Sequence, residues 1–297
     1  MRLEQVFPQL YGKQHGFVEK IDMDDFRRSL RNLEPMARYL RVKLEGADNL
    51  PEHTGALMVG NHGPFGMDAP FLVKAIWEQK HRFVRALADR VIFQTPGYRF
   101  GAAMMGVLEG EPQQAIRMLQ KDKLVLVYPG GAKETIRSTK EKYQLRWDGH
   151  YGFIKVALRA GKPIIPVACI GIDDLFWQIA DHEQMLKTPL GRYITKRYGN
   201  EKYVMPLYAG IGGLPIPRQL TYHIGWPIYL GYGPEAADDP EIVRRLHAEV
   251  KGETEKLIAY GLRIREIRQK KFRRLITRRA DRFLAAAAET VQNVLAA

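Results

Sequence analysis

The most reactive combination of side chains in this chain lies where an apolar run, residues 56–59, ends in Gly60-Asn61-His62, with Asp68 following after five intervening residues. A carboxylate that accepts one ring N–H of an imidazole fixes its tautomer and leaves the other nitrogen to take a proton from a hydroxyl. A turn of this length brings His62 and Asp68 together, which makes them a candidate general base without a nucleophile of their own. The plainer alternative is a helix N-cap at Asp68, ahead of Ala69-Pro70, beside a surface histidine. Ser29 and Ser138 are the only serines, and neither stands in a G-x-S-x-G elbow. Cys169 sits inside the apolar run Ile165-Pro-Val-Ala-Cys-Ile170 and reads as an inert core thiol. The attacking group is therefore expected to be a hydroxyl of the substrate.

A second segment, Val127-Tyr-Pro-Gly-Gly-Ala-Lys-Glu134, also runs off a strand end. Gly130 and Gly131 let backbone N–H groups converge on an anion, either an oxyanion or a phosphate, and Lys133 adds charge. A plain turn is the simpler reading. There is no Walker loop, no G-x-G-x-x-G, no H-E-x-x-H and no paired histidine spacing, so no metal is expected.

The elements that must position these residues alternate between strand and helix. Helical segments are expected at 1–34 (ending before Pro35), 68–79, 113–120 and 152–160. Strands are expected at 39–44, 56–59, 83–87, 124–128 and 163–170. Such alternation predicts an α/β fold with a mostly parallel central sheet flanked by helices. Residues 221–230 read as a late strand that Pro227 confines to an edge or bulge. A helix starts at Asp239-Pro240 and is punctuated by Gly261. The organisation expected is an N-terminal helical segment (1–36), an α/β core (37–235), a helix packed on it (236–261) and a C-terminal basic amphipathic helix (262–297).

The chain has 297 residues, with 46 Lys and Arg against 33 Asp and Glu, a net charge of +13. Over residues 262–282 ten basic side chains face only Glu266 and Asp281, a net of +8. Ile264, Ile267, Leu275, Ile276, Phe283, Ala287, Val291 and Val294 form an apolar stripe through and beyond this stretch. Such a helix suits an anionic membrane surface, or else packs on its own domain with a solvated basic face. Nucleic acid is not expected, since no zinc-finger, RNP-like or recognition-helix pattern occurs. No stretch reaches the ~18 apolar residues of a spanning helix. The N-terminus lacks the h-region and cleavage site of a secretory signal. A single cysteine is compatible with a reducing compartment.

Together, Asn61-His62 with Asp68, Pro129-Gly130-Gly131 with Glu134, Gly161-Lys-Pro-Ile-Ile-Pro-Val167 and Gly225-Trp-Pro-Ile228 resemble, in order, the blocks of the glycerolipid and lysophospholipid acyltransferase superfamily. They look closest to its diacylglycerol-acyltransferase-like and phytyl-ester-synthase-like branch. The resemblance implies transfer of a fatty acyl group from a CoA or acyl-carrier-protein thioester to a lipid hydroxyl, with no cofactor beyond that donor. It implies His62 as the base, Asp68 as the group orienting it, and Asn61, Tyr128, Pro129, Gly130, Gly131, Lys133 and Glu134 as substrate-binding positions. It also implies a peripheral protein on the cytoplasmic face of a membrane.

Two departures shape the expected acceptor. The His-to-Asp spacer is five residues where four is commoner, and Tyr128-Pro-Gly-Gly-Ala-Lys133 stands where phosphatidic-acid-making members carry Phe-Pro-Glu-Gly-Thr-Arg. Val107-Leu-Glu-Gly-Glu111 places acids where those members place an arginine, and these would repel a phosphate. A neutral acceptor, diacylglycerol or a long-chain alcohol, is at least as well suited as a lysophospholipid. Two other readings compete: a non-catalytic membrane-surface binding protein with a degenerate site, suggested by the altered block and the basic tail, and a thioesterase or esterase whose dyad activates water.

Overall fold

The structure is a computed structural model describing residues 22–94, 102 and 105–296, with side chains among them up to 272 except at 94. The expected helix over 1–21 lies outside the described residues, as do the side chains from 273 onward that would complete the basic amphipathic stripe.

Asp22 caps the first helix, α1 (Met23–Tyr39), by accepting the N–H groups of Asp24 and Asp25. Its Phe26, Leu30 and Ala37 are buried on one face. This helix does not stop before Pro35 as expected but continues to Tyr39 with the proline inside it. The expected strand 39–44 shrinks accordingly to β1 (Lys43–Glu45). The apparent alternation mixed a helix end with a strand start, and the left-handed Arg41 (φ +46°) separates them.

Buried apolar runs then form the sheet: β2 (Ala56–Gly60), β3 (Val84–Ala88), β4 (Leu108–Glu109), β5 (Leu124–Val127) and β6 (Ile164–Ile170). Between them lie α2 (Asp68–Lys80), a short α3 (Arg90–Gln94), α4 (Pro112–Gln120), α5 (Ala132–Thr135) and α6 (Gly152–Ala160). After β6 come β7 (Trp177–Ala180), α7 (His182–Leu186), α8 (Pro189–Tyr198), β8 (Leu207–Ala209), β9 (Thr221–Ile224) and α9 (Pro240–Ala296).

The seven-stranded sheet has the order β1-β9-β6-β2-β5-β3-β4, and all its pairings are parallel except β6 with β9. It is therefore the mostly parallel α/β sheet that the alternation predicts. The late strand is not an edge strand, however: β9 stops at Ile224, before Pro227, and lies between β1 and β6. β7 and β8 form a separate antiparallel ribbon. β2 and β6 approach so closely that a Cβ on Gly60 would stand 2.6 Å from the Val167 carbonyl oxygen. Because β2, β5 and β6 run in parallel, their C-terminal ends open on one edge of the sheet, the edge where α/β proteins place ligands.

The chain divides into two units, one up to Ile258 and one from Ala259. In the first, Val243, Leu246, Val250, Thr254 and Ile258 of α9 are buried at helical spacing. In the second the backbone is helical to Ala296, and Gly261 does not interrupt α9 as expected. Among the described residues no helix is long and apolar enough to cross a membrane.

Leu126, on the interior strand β5, is wholly buried. Leu126→Ala is expected to cost about 2–5 kcal/mol of stability, read as a lower urea midpoint with an unchanged m-value.

Candidate active site

The residue after β2 explains why the site starts there. The Asn61 side chain continues the β2–β6 ladder: its Nδ2 donates to the Cys169 carbonyl (3.0 Å), and the Cys169 N–H donates to its Oδ1 (2.8 Å). Asn61 is 1% exposed, and both ends of its amide are engaged by the Cys169 backbone. The clamp fixes the point at which the chain leaves the sheet, and His62 follows it.

His62 and Asp68 meet as their spacing predicts. The imidazole Nδ1 lies 2.9 Å and 3.1 Å from the two Asp68 oxygens. Since an ionised carboxylate only accepts, Nδ1 carries the proton and Nε2 is left to act as acceptor. Asp68 is the first residue of α2 and supplies no side-chain cap, so the N-cap alternative does not hold. Its Oδ1 instead accepts the Gly63 N–H (3.3 Å), and its backbone carbonyl accepts the Tyr222 hydroxyl (2.7 Å). The Tyr128 ring stacks on the imidazole, with centroids 4.1 Å apart and planes within 11°. Gly66 (φ +66°) passes the Cε1–Nε2 edge of the ring, where an added Cβ would lie 3.4 Å from Cε1 and 3.7 Å from Nε2.

Glu134 joins the two motifs. Its Oε2 accepts the His62 N–H (2.7 Å) and its Oε1 accepts the Arg146 N–H (2.9 Å). It is 1% exposed, and its two oxygens brace one loop against the other. A Cβ on Gly130 would come within 2.5 Å of that carboxylate, so the glycine is what leaves room for it. Gly131 adopts φ +50° and ψ −138°, a conformation open essentially to glycine alone. Its N–H, expected to help hold an anion, is taken by the Tyr128 carbonyl (2.9 Å). Pro129 is buried and Lys133 exposed.

Arg137 and Asp173 were not legible as site residues. Arg137 lies 3.6 Å from Glu134 and binds both Asp173 oxygens through Nη2 at 2.6 Å. The Tyr143 N–H donates to the same Asp173 (2.6 Å). The three-residue spacing of Glu134 and Arg137 is the one available signal, an i,i+3 pair. Asp173 and Tyr222 reach the site through tertiary structure only.

Burial pulls the His62 pKa down, but the Asp68 carboxylate, aided by Glu134, outweighs it, and the net shift is upward from 6.5. Burial pushes Glu134 up against the opposing pull of Arg137 and its two backbone donors. Burial likewise raises the Cys169 thiol well above its ordinary value, which suits an inert thiol. An imidazole held this way can accept a proton at Nε2 and keep it. Among the described residues no group of three or more His, Cys, Asp or Glu could hold a metal ion.

Residues 41–170 match the Acyltransferase family model. This stretch contains β2, β5, β6, the His62–Asp68 pair and Glu134, and it stops before Asp173, the β7–β8 ribbon and Tyr222. Phytyl ester synthase 1, chloroplastic, of Arabidopsis thaliana is 29% identical over 75% of this chain and 34% of its own length. The DGAT1/2-independent enzyme synthesizing storage lipids of Bos taurus is 28% identical over 63% of this chain and 52% of its own. This chain thus spans between about a third and a half of these two relatives. The solved structure of the 1-acyl-sn-glycerophosphate acyltransferase PlsC from Thermotoga maritima aligns with a TM-score of 0.46 and 17% identity, over 85% of this chain and 87% of that one.

A raised His62 pKa means that its stabilising contribution is complete below pH 6.5 and is lost as pH climbs through the higher folded value. By NMR the imidazole is expected to titrate above 6.5, and in Asp68→Asn below it, because burial then dominates. A native value below 6.5 would refute the coupling. Glu134→Ala leaves two backbone donors and Arg137 short of a partner and is expected to lower stability by about 3–5 kcal/mol in thermal or urea melts.

Proposed function

We propose that this protein is an O-acyltransferase that moves a fatty acyl group from a CoA or acyl-carrier-protein thioester to a hydroxyl of a lipid. The observation that carries this reading is the oriented His62–Asp68 pair in a domain whose only thiol is buried. Both serines lie outside the pair's hydrogen bonds: Ser29 bonds Asp25, and Ser138 caps a turn with Glu141. The base therefore serves a hydroxyl brought by the substrate.

In this scheme Nε2 of His62 takes the acceptor's proton as its oxygen attacks the thioester carbonyl, while Asp68 stabilises the resulting imidazolium. Collapse of the tetrahedral intermediate breaks the C–S bond, and the proton on His62 passes to the departing thiolate. The products are an ester and a free thiol.

A neutral acceptor suits the site better than a phosphate. Three carboxylates, Asp68, Glu134 and Asp173, are buried at the site, against one buried guanidinium, Arg137, which pairs with Glu134 and Asp173. The acidic pair at 109 and 111 adds less than the sequence suggests. β4 is three strands from β2, and both acids pair with Arg90. The names of the relatives, a phytyl ester synthase and an enzyme synthesizing storage lipids, also favour a neutral hydroxyl.

Thiol release from an acyl-CoA panel is expected to require an acceptor, tested with diacylglycerol, a long-chain alcohol and lysophosphatidate. His62→Ala is expected to lower it about 10²–10⁴-fold with the fold intact. Since neutral imidazole is the base, kcat/KM is expected to rise with pH through a value above 6.5. Retained transfer in His62→Ala sinks the reading, and free fatty acid as the sole product makes the protein a hydrolase.

A further inference from the structure

The β7–β8 ribbon lies beyond the stretch matched to the family, and its two faces differ. Its inner face belongs to the site. Gln178 accepts the Thr139 N–H (3.1 Å) and donates to the Arg137 carbonyl (3.2 Å), and the Tyr208 hydroxyl donates to the Thr135 carbonyl (3.3 Å). Phe65, from the loop between His62 and Asp68, packs edge-on against both Phe176 and Tyr208, with centroids 5.4 Å away in each case.

The outer side is apolar and uncovered. Exposure alternates along β7: Trp177 and Ile179 are 55% and 61% exposed while Gln178 and Ala180 are half-buried, and Leu207 of β8 is 49% exposed. Beyond Ala209, the partner of Trp177, the chain makes a tight turn through Gly212 and Gly213 (φ +59° and +81°), closed by hydrogen bonds between Ile211 and Leu214. Those two residues are 50% and 48% exposed at its tip. The base of this projection is fixed: Ile216 donates to the Leu175 carbonyl, and both side chains are buried.

Exposed Trp, Ile and Leu grouped on one projection are the residues that enter the headgroup–acyl boundary of a bilayer. The segment joining β7 to β8 adds exposed Lys187, Arg192 and Lys196, the charge that complements anionic headgroups. The placement also fits. β6 leads out to the ribbon from the sheet edge that carries His62, whereas the two most exposed aromatics among the described residues, Trp226 and Tyr229, follow β9. β9 runs opposite to β6, so Trp226 and Tyr229 lie at the far edge, beside Ile164.

We propose that the outer face and tip of the β7–β8 ribbon dock this protein on a lipid bilayer, with the His62–Asp68 site directly behind the contact. The proposal takes from the acyl-transfer reading only that the acceptor is a lipid. The full-length protein is floated with vesicles of phosphatidylcholine, with and without phosphatidylglycerol. Turnover is measured on diacylglycerol held in those vesicles and on a short-chain diacylglycerol in solution.

Trp177→Ser/Ile179→Ser and, separately, Ile211→Ser/Leu214→Ser are expected to lower vesicle partitioning about tenfold or more. Turnover on vesicle-borne acceptor falls in step, while turnover on the soluble acceptor is kept. Trp226→Ser/Tyr229→Ser is expected to float like the native chain. Native flotation by both ribbon variants overturns the proposal. So does loss of flotation in the Trp226/Tyr229 variant alone, or a dimer abolished by the ribbon variants with flotation unchanged. If the native chain floats through the ribbon but acylates no acceptor, the docking face stands and the acyl-transfer reading falls.

Discussion

One buried carboxylate holds the site together. Glu134 accepts a backbone N–H from His62, just after β2, and another from Arg146, further along the chain. Neither loop has a regular element at that point to satisfy those donors, and an unpaired buried N–H costs about 1–3 kcal/mol. The charge on Glu134 is in turn balanced by Arg137, and Arg137 is held by Asp173 in the turn after β6. A single network therefore ties the loops that follow three neighbouring parallel strands. Buried ion pairs of this kind add little net stability over an apolar equivalent, yet they are costly to break by halves. The network fixes geometry more than it adds stability.

That geometry matters because the forces on His62 oppose each other. Burial favours the neutral ring, while the Asp68 carboxylate favours the charged one, and the second prevails. Each pKa unit of difference is worth about 1.4 kcal/mol. The balance depends on the 2.9 Å contact and on the low dielectric that Tyr128 maintains by lying flat on the ring. A base built this way is neutral when it must accept a proton and is stabilised once it has done so.

The sequence revealed the parts of this arrangement that are local. Continuous apolar runs marked β2, β5 and β6, and a five-residue turn put His62 against Asp68. The side-chain duties were less legible. Asn61 reads as a polar site residue, and nothing in one strand shows that its amide also pairs with the backbone of Cys169, 108 positions away. Glu134 and Gly130 read as substrate contacts, and nothing in their local sequence shows that the glycine also admits the carboxylate. Pro35 and Gly261 misled for a different reason. Local propensity favours ending a helix near each, by about 1 kcal/mol for glycine and about 3 for proline. For α1 the buried face of Phe26, Leu30 and Ala37 favours continuing the helix. The β7–β8 ribbon has strands of only three or four residues, too short for periodicity to separate from loop.

The ribbon also bears on the shape of the His-to-Asp loop. Phe65 and Gly66 are both left-handed, with φ of +59° and +66°, and the two together turn the chain so that Asp68 returns beneath His62. Glycine tolerates this at no steric cost, but a phenylalanine pays about 1–2 kcal/mol. The two edge-to-face contacts of Phe65 with Phe176 and Tyr208 contribute about 0.5–1.5 kcal/mol each beyond the area they bury, enough to offset that strain. The ribbon thus holds the longer spacer in its folded form from outside, while Glu134 holds it from within. A segment beyond the family-matched stretch is in this way part of what aligns the two residues at the centre of that stretch.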